Sequence, residues 1–139
     1  MKKYTIKQVS ELLGLPKATL RYYDQLGIVS PHRADNGYRY YNEQDILNLK
    51  YAEVMKRINC SLMEIKQIMD FRQKPNLENF PIILQMIDEK QNWLSSQIEL
   101  FQASINYLEL ITKTMQEKTK PEDAYKLDML INQIFHAKN

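Results

Sequence analysis

The sequence predicts a mainly α-helical protein, with short helices and one β-hairpin at the front and one long helix behind. Three observations carry this reading. All three glycines, Gly14, Gly27 and Gly37, fall in the first 37 of 139 residues, so the tight turns are confined to the front. An Asn36-Gly37 pair lies between two β-prone segments. From Phe80 onward, apolar residues recur alternately every four and three positions, the period of a helical seam.

The elements follow in chain order. Thr5 with Gln8 three residues on is a capping box, and Ile6, Val9, Leu12 and Leu13 then recur at helical spacing until Gly14 ends the helix. Pro16 suits the first turn of a second helix, where no backbone donor is needed, and Gly27 stops that helix after Leu26. Two short helices joined by a glycine-containing turn form a helix-turn-helix. Between Ile28–Arg33 and Tyr38–Tyr41, the Asn36-Gly37 pair predicts a type I′ turn with positive φ at both central residues. The outcome is a small hairpin, or wing. Asn42 caps a third helix over about 43–58, and Ser61 with Glu64 is a second capping box opening a fourth over about 62–72.

The seam then runs through Phe80, Leu84, Ile87, Gln91, Leu94, Ile98, Phe101, Ile105, Leu108, Thr112 and Met115, and nine of these eleven positions are apolar. Pro81 fits the first turn, and Lys118 to Pro121 ends the helix. Such a helix is on the order of 55 Å long. A last helix over about 122–136 is too short to cover it, so a second copy of the chain is the expected partner. Leu84, Ile87, Leu94, Ile98, Phe101, Ile105, Leu108 and Met115 are the expected dimerisation residues, with Gln91 and Thr112 as polar positions that fix register. A heptad stripe leaves the relative direction of the two helices open.

Composition narrows the function classes. With 44% hydrophobic and 26% charged residues the chain reads as folded and soluble, and no run of 18 apolar residues suggests a membrane span. Met1-Lys2-Lys3-Tyr4-Thr5 leads straight into a polar helical pattern, so no signal peptide is expected and the cytoplasm is the expected location. One cysteine, Cys60, excludes a disulfide framework, and with only His32 and His136 beside it no Cys/His metal site or cofactor is expected. No phosphate-loop, HExxH or GxSxG string is present, so no catalytic residues and no enzyme activity are expected. Residues 1–75 carry thirteen Lys/Arg against eight Asp/Glu, and residues 76–139 carry six against nine. A basic, tyrosine-rich front on an acidic rear is the charge layout of a nucleic-acid binder with a non-binding extension.

The run Thr19-Leu20-Arg21-Tyr22-Tyr23-Asp24, followed by Gly27-Ile28, Pro31, Arg33, Gly37-Tyr38-Arg39, Tyr41 and Asp45, resembles the MerR family of bacterial transcription regulators. Ser61-Leu62 and Glu64-Ile65 extend the resemblance, which covers roughly residues 4–70. It implies a winged helix-turn-helix dimer joined by an antiparallel coiled coil and bound to an inverted repeat in promoter double-stranded DNA. It also implies that the regulator distorts the DNA so that RNA polymerase can engage both promoter elements. Asn59 stands where a glycine is common in that family, and Asn tolerates the left-handed conformation. Cysteines are missing from Leu77–Ile87 and Glu117–Tyr125, against metal sensing, and 18 residues follow Pro121, against a large drug-sensing domain. A small-molecule effector is left open.

Base readout requires second-helix side chains that face outward. Lys17, Ala18, Thr19, Arg21 and Tyr22 are the candidates, while Leu20 points inward. Tyr22 and Tyr23 each have two readings, a phosphate contact or packing in the small core. Arg33, Tyr38 and Arg39 flank the hairpin and can reach the backbone or the minor groove. Ser61 at a helix N-terminus, with Lys66 one turn in, is a candidate phosphate site or a plain cap with a solvated lysine. The expected division is a DNA-binding domain over 1–75, a dimerisation helix over 76–120 and a short helical segment over 121–139. An architectural DNA-bending or interaction protein, without direct control of transcription, is the alternative function.

Overall fold

A computed structural model describes residues 1–117 and 123–137. It contains α1 (Ile6–Leu13), α2 (Lys17–Gln25), β1 (His32–Arg33), β2 (Arg39–Tyr40), α3 (Glu43–Arg57), α4 (Leu62–Gln73), α5 (Phe80–Gln116) and α6 (Ala124–His136). The chain divides into two compact units, Met1–Met86 and Ile87–Asn139, and α5 starts in the first and continues into the second. No described helix is long and apolar enough to cross a membrane.

The first unit is the helix-turn-helix with its wing. Both expected capping boxes form: Thr5 and Gln8 exchange bonds of 2.8 and 3.2 Å, as do Ser61 and Glu64. A third box, Asn42 with Asp45, opens α3 with bonds of 2.8 and 2.9 Å. Each satisfies donors that a helix start otherwise leaves unpaired. Gly14 ends α1 in the left-handed conformation at φ 66°. At the end of α2, Gly27 N–H donates to Asp24 O (3.0 Å) and Ile28 N–H to Tyr23 O (2.9 Å), a Schellman motif closing on buried Ile28.

Two local expectations are corrected. Pro16 lies one residue outside α2: at φ −59°, ψ 142° it is the N-cap, and its carbonyl accepts from Thr19 and Leu20. The hairpin turn is not type I′. Ala34 pairs with Tyr38 and accepts from Gly37, both at 2.8 Å, so Asp35, Asn36 and Gly37 form a three-residue loop. Only Gly37 has positive φ there (83°), because the extra residue moves the left-handed position to the last of the three. Asn36 Oδ1 instead accepts from the Tyr38 N–H at 3.2 Å. Asn59, at φ 64°, does adopt the left-handed conformation in the α3–α4 connection.

Val9, Leu20, Tyr23, Ile28, Leu49 and Ile65 are among the fully enclosed side chains of the core, which therefore joins α1 to α4. The chain start is tied to the wing: Tyr4 and Tyr41 exchange two backbone hydrogen bonds of 2.8 Å. Arg72 of α4 lies 3.6 Å over the Tyr51 ring of α3 and fastens these two helices.

In the second unit, Tyr107, Ile111 and Thr114 of α5 and Leu127, Leu130 and Ile134 of α6 are half-buried, one stripe on each helix. The heptad seam is different. No α5 residue is buried, and Ile98 and Leu108 are 69% and 62% exposed. Of the expected dimerisation residues, Leu84, Ile87, Phe101, Ile105 and Met115 are likewise exposed, and Leu94 is half-buried. The expected helix end between Lys118 and Pro121 lies outside the described residues.

Candidate nucleic-acid interface

Helix α2 buries Leu20 and Tyr23 and turns Lys17, Ala18, Arg21, Tyr22 and Gln25 outward, with Thr19 half-buried. Outward positions three and four apart make one face. No salt bridge engages Arg21 among the described residues, so its guanidinium is available to a ligand.

The wing stands beside this face. Arg21 and Asp24 of α2, Thr5 and Ile6 at the start of α1, and Tyr38, Arg39 and Tyr41 of the wing line one open cavity of about 420 Å³. Two guanidinium groups and the wing tyrosine thus converge on one concave surface. Arg33 does not line this cavity, but its register partner across the hairpin is Arg39, which does. Direct cross-strand partners share a face, and like charges there repel. An anion bound between them removes that cost, and a phosphate is the anion that suits guanidinium geometry.

The wing is held in place from behind. His32 Nε2 lies 3.0 Å from Asp45 Oδ2, and the His32 ring leans on Tyr40 at 5.5 Å between centroids. Asp45 is buried and also closes the α3 capping box, so one carboxylate fixes the hairpin to the helix start. Tyr41 sits at the floor of the cavity. Burial, followed by the charges of Asp24 and Asp45, pushes its phenol up, while Arg39 and Arg21 pull the other way.

Three of the expected residues, Tyr23, Ser61 and Lys66, lie outside this cavity. Tyr23 is 1% exposed, and its hydroxyl donates to Glu53 Oε1 of α3 at 2.7 Å, so it belongs to the core. Tyr22, at 47% exposed, keeps the outward position. Ser61 Oγ accepts the Glu64 N–H of its own helix at 3.2 Å. Lys66 pairs with Asp70 one turn along, and its stem lies against Gly27. Neither Ser61 nor Lys66 lines the cavity between α2 and the wing. Thr5, Asp24 and Tyr41 do line it and escape sequence reasoning, because each reads as an ordinary cap, helix or strand residue.

Residues 4–72 match the model of the MerR HTH family regulatory protein. The chain is 32% identical over 125 residues to the HTH-type transcriptional regulator CueR of Bacillus subtilis, covering 89% of this chain and 78% of that protein. It spans half or less of the length of some other curated relatives, among them the HTH-type transcriptional activator mta of Bacillus subtilis, matched at 30% identity over 80% of this chain and 45% of mta. Its fold is that of a MerR family transcriptional regulator from Bacillus cereus, with TM-score 0.72, 20% identity and 99% and 100% of the two chains covered. Similar too is HiNmlR, described as a MerR family regulator lacking the sensor domain, bound to promoter DNA, at TM-score 0.58 and 22% identity over 84% and 88% of the chains. The family comprises regulators rather than enzymes. On the match to its front half and its likeness to CueR over most of both chains, this protein belongs to the MerR family of helix-turn-helix regulators.

Proposed function

We propose that the protein is a sequence-specific transcription regulator that binds an inverted-repeat promoter operator as a homodimer and distorts it. The observation that carries this reading is the convergence of Arg21, Arg39 and Tyr38 on one cavity beside the exposed face of α2. A helix in the major groove and a wing on the flanking backbone use such a surface: phosphate contacts position the module while α2 side chains meet base edges. Lys17, Ala18, Thr19, Arg21 and Tyr22 take the groove, and Arg33, Tyr38 and Arg39 take the backbone.

The exposed seam of α5 supports the dimer. Residues such as Ile98, Phe101 and Leu108 form an apolar stripe that a second copy covers knob-into-hole. In this reading residues 1–75 bind DNA, 76–120 dimerise in an antiparallel coiled coil, and 121–139 are a short C-terminal segment. Two helix-turn-helix units related by a two-fold axis meet two half-sites of opposite sense. Bending and local untwisting between them bring the promoter elements into reach of RNA polymerase, in the cytoplasm.

Selection of bound sequences from a random duplex library, with the full-length protein at moderate salt, tests this function. The expected product is an inverted repeat of fixed centre-to-centre spacing. Salt-sensitive binding with no enriched motif overturns it in favour of an architectural DNA-bending role.

A further inference from the structure

Nine residues make a helix that is marginal on its own, so the orientation of α2 has to come from packing. Its N-cap, Pro16, makes no side-chain capping bond. Leu20 and Tyr23 anchor the buried side, but apolar contact is non-directional and leaves the helix free to roll and slide by small amounts. Among the described residues, one side-chain hydrogen bond joins α2 to another helix: the Tyr23 hydroxyl donates to Glu53 Oε1 on α3, 30 positions away, at 2.7 Å. It is charge-assisted, which makes it stronger than a neutral bond, and unlike apolar contact it has a preferred geometry. Glu53 lies on the wall of a second open cavity of about 430 Å³ with Lys50, Arg57 and the Gly14-Leu15 turn. That turn joins α1 to α2, so the cavity borders the N-terminal connection of α2, while the bond from Glu53 engages Tyr23 in the last turn of the helix.

We propose that Glu53 is a positioning residue for DNA reading: through Tyr23 it fixes the orientation in which α2 presents Lys17, Arg21 and Tyr22. The proposal rests on the reading of α2 as the helix that meets base edges. Burial of Tyr23 and the adjoining carboxylate both push its phenol up, so the donor keeps its proton throughout the physiological range. Base contacts depend on orientation to fractions of an ångström, whereas backbone contacts tolerate small shifts. Loss of the bond therefore weakens operator binding more than binding to random duplex.

The test compares Tyr23→Phe, Glu53→Leu and Glu53→Gln in the full-length protein, with thermal unfolding to establish that each variant folds. Glu53→Gln keeps an acceptor oxygen and removes the charge. Tyr23→Phe and Glu53→Leu are expected to lower operator affinity about tenfold, the scale of one such hydrogen bond, and random-duplex affinity less than twofold. Glu53→Gln keeps most of the preference, and the double variant Tyr23→Phe/Glu53→Leu is no worse than either single one. Equal losses on both duplexes, or no loss, overturn the proposal, as does a Glu53→Gln variant as poor as Glu53→Leu. Amide hydrogen exchange without DNA separates this from the function itself. Faster exchange confined to α2 in the two disruptive variants supports the positioning role even if no operator is recovered, and unchanged or uniformly faster exchange refutes it.

Discussion

Arg33 and Arg39 are register partners across the β1–β2 hairpin, so two guanidinium groups share one face of a two-stranded ribbon. Nothing in the wing's own stability favours this, since like charges directly opposite destabilise a strand pair. Arg39 also lines the cavity that Arg21 enters from α2. Replacing Arg39 or Arg33 with Ala should leave the thermal midpoint of the free protein unchanged or slightly raised. DNA affinity should fall by a similar factor on all sequences, and the slope of log K against log salt should shrink by about 1 per subunit contact removed. Anisotropy titrations over a range of KCl concentrations measure both quantities. An unchanged slope would place the wing away from the phosphates.

Arg21 stands on the outward face of α2, clear of any salt bridge among the described residues. If it reads a base, Arg21→Ala costs about 1–3 kcal/mol on the operator and relaxes discrimination at one position of each half-site. Competition binding against single-substituted operators checks this. An equal loss on random duplex would assign it to phosphate alone.

The α5 seam is apolar and exposed in the single chain. Ile98→Asp with Leu108→Asp sets carboxylates into the expected interface, where they would be buried without partners. Sedimentation should show a monomer. Operator affinity should drop on the order of a hundredfold as two-site engagement is lost, while the circular dichroism of the helices in the first unit persists. Retained dimerisation would remove the seam from the interface.

The phenols of Tyr23 and Tyr41 are both raised above their ordinary value of 10.0, chiefly by burial. A group whose folded pKa lies above its unfolded one binds its proton more tightly when folded. Its stabilising contribution is complete below the unfolded value and is lost as pH rises toward the folded one. Urea midpoints should therefore decline above about pH 10. Tyr23→Phe, which cannot ionise, should flatten part of that decline, and an equal decline in the variant would refute the link.

Much of this architecture is written into short stretches of sequence. The Thr5 and Ser61 capping boxes, the helix ends at Gly14 and Gly27, and the left-handed Asn59 depend on partners within about six residues, so neighbours in sequence are enough to specify them. The long period of α5 is local in the same sense. Where a local signal has two near-equal outcomes, sequence leaves them open. A hairpin with Asn36-Gly37 can turn over two residues or three, and the pairing of Ala34 with Tyr38 decides for three.

Tertiary structure decided the rest. Tyr22 and Tyr23 are adjacent and alike, and lie about 100° apart around a helix of 3.6 residues per turn. Only the packing of α2 on the core sends one outward and the other to Glu53. The Tyr4–Tyr41 bridge, the His32–Asp45 tie and the meeting of Arg21 with Arg39 also join residues remote in sequence. The sequence by itself determined which elements form and where they end, because hydrogen bonds within one helix or turn set those. Which side chains meet was left to the burial of apolar faces, a property of the whole fold.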